Sequence, residues 1–341
     1  MILGVSTAFM KAVDNFAPPK RRSLQVPKGW PEPEKLFKKN PLTEEGFRLG
    51  RKLFYDNRLS RDESISCASC HQPFAAFSNY DHDLSHGVEN SFTNRNAPAL
   101  FNLAWRKEFN WDGGINHLEV QPLMPITAHN EMGETIEHVL NKLRDDSSYR
   151  SMFSKAFGDT MISSKRMLQA ITQFTGSLVS ANSKYDKVMR GEASFEPYEA
   201  NGYRHFKKYC AGCHSEPLFT DNSYRNNGLP PNQRQDAGRI MVTGKSSDSL
   251  KFRVPSLRNV QFSPPYMHDG SIYSLYKVVD HYSEGLDIRQ PGLDPSLGKK
   301  IDLTDFERSE LVYFLYTLSD TSFTRNPEYG FGADISTPHA H

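Results

Sequence analysis

All four cysteines of this 341-residue chain fall in two matching patterns, CASCH (Cys67, Cys70, His71) and CAGCH (Cys210, Cys213, His214). Nothing else in the sequence restricts the fold as strongly. C-x-x-C-H is the spacing at which two thiols add to the two vinyl groups of one porphyrin, while the adjacent histidine is held under the ring as an axial iron ligand. A zinc ribbon built from two CxxC pairs sets them about 15–20 residues apart; here they stand 143 apart. A thioredoxin-like redox site has no use for the histidine, least of all twice. Two structural disulfides would use the same four thiols and stay open on spacing alone, although neighbouring CxxC cysteines rarely serve as plain staples. Two covalent c-type haems are therefore the expectation.

A haem held in this way needs a helix leading into each motif. TEEGFRLGRKLFYD (43–56) places Phe47, Leu49, Leu53 and Phe54 at helical spacing, and YEANGYRHFKKY (198–209) does the same with Tyr203, Phe206 and Tyr209. Each motif is followed by a loop-like aromatic stretch, QPFAAFSN and SEPLFTDN, so the chain reads as an internal repeat. Apolar periodicity predicts further helices over 134–143, 164–180 and 304–318, the last opening with a Thr304/Glu307 capping box. Period-two runs are lacking. The fold class predicted is mainly α, with two cytochrome c-like domains, each with one covalent haem, packed around an inter-haem interface. The length is itself a prior for two domains. The polar stretch 181–197 is the best boundary, giving domains over 41–185 and 186–325, an N-terminal arm over 1–40 and a C-terminal tail over 326–341.

A formal net charge of +1 offers no global field for nucleic acid or an anionic membrane, and no apolar run is long enough to span a bilayer. Haem attachment of this kind is completed outside the bacterial inner membrane, so a periplasmic location is expected. The opening MILGVSTAFM shows neither a basic n-region nor an A-x-A-like site, so a complete signal peptide is not visible in it.

Between and after the two motifs stand RNAPALFN, FNWDGG, EVQPLMPITAHNEMG and VPSLRNVQFSPPYMHDG. With these, the chain over roughly 43–320 resembles the bacterial di-haem cytochrome c peroxidase and MauG family. The resemblance implies a peroxidatic N-terminal haem with His71 as proximal ligand, and a six-coordinate C-terminal haem on His214. It places Gln121, Pro125 and Glu131 on the distal side of the first haem, with Glu131 as the acid/base that moves a proton between the two peroxide oxygens. His129, two residues before Glu131, could instead cap that iron. Trp111 matches an inter-haem tryptophan. Asn96, Ser263 and Pro265 match the positions that hold a calcium ion, through one side-chain oxygen and two backbone carbonyls. Arg239 in DAGR is matched to a haem propionate.

The sixth ligand of the second haem decides the branch. Leu275, Val278, Val279 and Tyr282 repeat as i, i+3, i+4, i+7 behind a Ser274 N-cap, so Tyr282 belongs to the buried stripe of a short helix. By resemblance it is also the ligand position, which carries methionine in the cytochrome peroxidases and tyrosine in the MauG branch. Met267 and His268, in PYMHDG, are rivals; His281 points off the stripe. A thioether favours ferrous iron and a high potential, whereas a hard phenolate favours ferric iron. The expected function is thus hydrogen-peroxide-dependent oxidation of an aromatic residue on a partner protein. Peroxide reduction with electrons from a small cytochrome or copper protein is the alternative. A non-catalytic electron carrier or haem sensor comes third, since a carrier needs no acid-equipped open face.

Overall fold

The computed structural model describes residues 17–80, 82–231 and 234–332. Twelve α-helices occur among these residues: α1 (Glu44–Phe54), α2 (Cys67–Cys70), α3 (Leu123–Thr127), α4 (Ile136–Asp145), α5 (Ser147–Phe157), α6 (Ser164–Thr175), α7 (Lys184–Met189), α8 (Pro197–Tyr209), α9 (Ile240–Thr243), α10 (Leu275–Asp280), α11 (Asp305–Tyr316) and α12 (Thr321–Thr324). The one strand pair among them is antiparallel and two residues long, β1 (Tyr224–Arg225) on β2 (Phe252–Arg253). Loops, 3-10 turns and one π-helical turn fill the rest of the described residues, as the 21 prolines and 22 glycines lead one to expect for the loops. The chain is mainly α.

Local chemistry starts and stops the main helices where the sequence signals lie. The Thr43 hydroxyl accepts the Gly46 N–H to open α1, with Glu44 and Glu45 in its first turn and Arg51 and Lys52 in its last, each charge matched to the helix dipole. Thr304 and Glu307 close a reciprocal capping box on α11, and Ser274 caps α10. One expectation is corrected. The helix predicted over 164–180 ends at Thr175. Beyond it the chain is recruited by a tertiary partner: Asn102 N–H donates to Leu178 O, and its side chain pairs with both backbone groups of Ser180. Hydrogen bonds to a segment almost 80 residues away replace the last helical turn, a competition that helical periodicity does not register.

Each half is built on one helix crossing. α1 lies against α6 and α8 against α11, in both cases at a glycine. A Cβ on Gly50 would fall 1.8 Å from Ala170 O, and one on Gly202 would fall 2.0 Å from Glu310 O. Only a residue without a side chain lets the backbones approach so closely. The first core gathers Leu49, Leu53, Leu143, Phe153, Met167 and Ile171 from α1 and α4–α6. The second gathers Phe206, Leu275, Val279, Leu311, Phe314 and Leu315 from α8, α10 and α11. The two halves thus repeat one architecture, two cytochrome c-like units.

The ends of the chain tie the halves together. Trp30, in the irregular segment 17–40, packs edge-on against Trp105 and lies under the Arg258 guanidinium of the second half. In return, Phe323 and Tyr329 pack on Phe77 of the first half, while Arg22 grips Glu328 through two hydrogen bonds. The polar stretch 181–197 contains α7, whose Asp186 forms a buried ion pair with Arg258.

Candidate functional site: two CxxCH motifs and the wall between them

The two motifs have nearly the same geometry. In each, the histidine N–H returns to the carbonyl of the first cysteine at 2.9 Å, closing one helical turn. His71 Nδ1 donates to Phe77 O at 3.0 Å. His214 Nδ1 faces Phe219 O at 3.2 Å and Pro255 O at 3.1 Å. A carbonyl can only accept, so Nδ1 carries the proton in both rings and the Nε2 lone pair is left for a metal. Phe77 and Phe219 are both fully buried and both hold a positive φ, 58° and 55°. That conformation is unusual for an aromatic residue; it occurs twice, and each time it turns a carbonyl onto the histidine.

Among the described residues no disulfide joins any of the four cysteines. Burial pushes the Cys67 and Cys210 thiols up to about 12, and the Cys70 thiol up to about 11 against an opposing Ser85 hydroxyl. Burial also lowers His71 to about 4, against the pull of the Phe77 and Pro98 carbonyls, and moves His214 downward as well. Half-buried neutral thiols and neutral imidazoles with a free Nε2 are the donor set that covalent haem attachment and iron ligation need. The residues present fit two c-type haems.

The second motif opens onto a large cavity of about 240 Å³. Cys210, Cys213 and His214 line it together with Leu275, Val278, Val279 and Tyr282, the four residues of the stripe. Tyr282 sits in a π-helical turn, His281–Gly285, that continues α10. The wider turn rotates His281 away from the cavity, where its ring meets Asn227 O at 3.1 Å. Burial raises the Tyr282 phenol above its usual range, partly opposed by Asn227, so it needs a cation to become a phenolate. Asn227 is a residue that motif reading missed. Its amide donates to Tyr282 Oη at 3.4 Å and lies 3.5 Å from Met267 Sδ, so it touches the phenol and one of its rivals. In RNNG it reads only as a turn residue. His268, the other rival, also lines the cavity but is stacked 3.6 Å from the Phe252 ring.

Trp111, Asn96, Ser263 and Pro265 line this same cavity. Trp111 Nε1 donates to Asn96 O at 2.8 Å, and Asn96 Nδ2 donates to Pro265 O at 2.6 Å. Pro98, whose carbonyl faces His71, lines the cavity too. One wall is therefore common to both motifs, with Trp111 in it. Arg239 is engaged outside the wall: it donates to Asp112 O, pairs with Glu108 and covers the Tyr224 ring.

Glu131 faces the first motif, close enough that its charge acts on both Cys67 and Cys70. Its backbone is pinned from two sides, N–H to Ala128 O at 3.0 Å and O from the Val88 N–H at 2.8 Å. Pro125 O accepts the Met132 N–H, closing the loop. Gln121 reaches Asn110 Oδ1 at 3.5 Å. Burial alone raises the Glu131 carboxyl. His129 is exposed.

The model of a family described as di-haem cytochrome c peroxidase matches residues 44–194. The chain is 35% identical over 321 residues to the methylamine utilization protein MauG of Methylorubrum extorquens, covering 92% of this chain and 88% of that protein. It is 34% identical to the cytochrome c551 peroxidase of Nitrosomonas europaea, covering 70% and 73% of the two chains. The crystal structure of a MauG-like protein associated with microbial copper homeostasis superposes with a TM-score of 0.82 at 33% identity, covering 91% of this chain and 99% of that one. The chain therefore belongs to the di-haem cytochrome c peroxidase and MauG family, and is a peroxidase-type oxidoreductase with two c-type haems.

Proposed function

We propose that this protein uses hydrogen peroxide to oxidise an aromatic side chain on a partner protein, as a MauG-like enzyme of the periplasm. The observation that supports this reading is that Tyr282 lines the same cavity as His214, with the Asn227 amide on its phenol oxygen. The haems supply the redox chemistry when bound; the remaining work falls to the chain. His71 and His214 would hold the two irons through Nε2, and their Nδ1 protons, tied to carbonyls, keep each ring oriented. Tyr282 offers a hard anionic oxygen. Glu131, with its raised pKa, takes a proton from the near oxygen of peroxide and returns it to the far one. Gln121 and Pro125 hold the loop that carries it. Trp111, fixed by its N–H, carries oxidising equivalents across the common wall.

A calcium ion belongs to the same proposal. Asn96 already lies 2.6 Å from Pro265 O. Turning its amide by half a revolution sets Oδ1 against that carbonyl, the converging oxygens a hard cation takes, with the Ser263 carbonyl as the third ligand.

Met267 Sδ, beside the same Asn227 amide, supports the second reading, peroxide reduction driven by a small cytochrome or copper protein. Spectra of the purified holoprotein under ascorbate and then peroxide separate the two. Tyr282 ligation keeps both haems oxidised under ascorbate. One haem reduced by ascorbate, with donor-coupled turnover, would overturn it in favour of the peroxidase. No response to peroxide at all would leave an electron carrier.

A further inference from the structure

Most arginines around the central wall are paired with acids. Arg225 meets Asp221 and Asp294, Arg95 meets Asp112 and Asp236, and Arg239 meets Glu108. Arg106 and Arg253 are the exceptions. They are 9% and 2% exposed, and both line the cavity that holds Cys210, Cys213, His214 and Tyr282. Neither guanidinium interacts with a carboxylate among the described residues. Arg253 spends its backbone N–H on Trp111 O and its Nε on Asn110 O, at 2.7 and 3.3 Å, and its Nη1 is buried with no partner.

Two like charges, buried side by side without counter-charge, are strongly unfavourable. Burial first, and then the charge of Arg253, pulls Arg106 well below its usual range. Such a pair is tolerable in a folded protein only if an anion enters with it. The anion must fit this cavity, and it must offer acceptors to two forked donors that come from opposite halves of the molecule.

We propose that Arg106 and Arg253 bind the two porphyrin carboxylates of the haem anchored at Cys210 and Cys213. The inference rests on the two-haem reading and goes beyond it by assigning that haem's counter-charges. Arg106 comes from the first half and Arg253 from β2 of the second, so the cofactor's acidic edge bridges the halves beside Trp111. The pair does the task that the sequence resemblance gave to Arg239. It also sets the potential of the second haem. A positive charge nearby disfavours the extra positive charge of the oxidised iron, so removing either guanidinium must lower that potential.

The test compares wild type with Arg106→Gln and Arg253→Gln as purified holoproteins. Covalent haem is counted by the pyridine haemochrome method, the second haem's potential is measured by redox titration, and the propionate bending bands are read by resonance Raman. Each Gln variant is expected to lower the reduced-to-oxidised ratio of the second haem about tenfold at fixed ambient potential, about 59 mV, and to shift the propionate bands. If a Gln variant does not accumulate, Arg106→Lys and Arg253→Lys keep the charge but lose the fork, and should shift the bands while largely keeping the potential. Variants that hold two haems with wild-type bands and potential would overturn the assignment and leave the family reading intact. A wild-type protein without covalent porphyrin would overturn both.

Discussion

Replacing Gly202 with alanine tests the crossing on which the second motif rests. A Cβ there would lie 2.0 Å from Glu310 O, 2.6 Å from its carbonyl carbon and 2.8 Å from Phe314 Cβ. Carbon and carbonyl oxygen ordinarily approach no closer than about 3.3 Å, so α8 and α11 must part by roughly 1.3 Å. The two nearest atoms are backbone and cannot swing away. Overpacking of this kind costs about 1–3 kcal/mol, and a rigid obstacle argues for the upper end. Against it stands the helix preference of alanine over glycine, about 1 kcal/mol. The net loss is therefore about 2 kcal/mol, a fall in Tm of about 4–8 °C for a unit of this size. Because α8 runs directly into Cys210, the displacement should also disturb the EPR signal of the His214 haem while sparing that of the His71 haem. Thermal melts of the holoprotein followed by far-UV circular dichroism, with EPR of the same samples, give both readouts. A variant that melts at or above the wild type with an unchanged EPR spectrum would show that the helices do not approach this closely, and the account of the repeat would fail with it.

Other outcomes follow from the same geometry. Glu131→Gln should slow the reaction with peroxide about 10²- to 10⁴-fold, as loss of an acid/base group does. Burial raises this carboxyl, so the proton-accepting form dominates only above the ordinary carboxylate range. The wild-type rate should rise with pH through that raised value and the variant should lack the step; stopped-flow profiles between acid and neutral pH decide it. Tyr282→Met should raise the potential of the second haem and make it reducible by ascorbate, and an unchanged potential counts against phenolate ligation. Asp186→Ala removes the partner of Arg258, whose side chain is 0% exposed, and should cost about 3–5 kcal/mol in urea unfolding; a loss below about 1 kcal/mol, the worth of a surface pair, would contradict the burial argument.

Much of this molecule is local and was therefore legible. Covalent haem attachment depends on residues one to four apart, so CASCH and CAGCH declare it without any fold. The helices leading into them, the Thr304/Glu307 box and the Ser274 cap depend on neighbours within one turn, and all occur where the spacing puts them. The stripe that turns Tyr282 into the cavity is likewise a property of one short segment, and so could be read before the cavity was known. Tertiary structure decided what depends on partners far along the chain. Asn102 cut α6 short by competing for the backbone of residues 178–180. Asn227 came to lie between Tyr282 and Met267, which stand 55 and 40 positions away. Arg239 found Glu108 and the Asp112 carbonyl, and the uncompensated charges fell instead to Arg106 and Arg253, one from each half. No sequence period encodes these outcomes, because which buried charge keeps an acid partner is set by how two packed halves meet, and that is a property of the surfaces rather than of any stretch of residues.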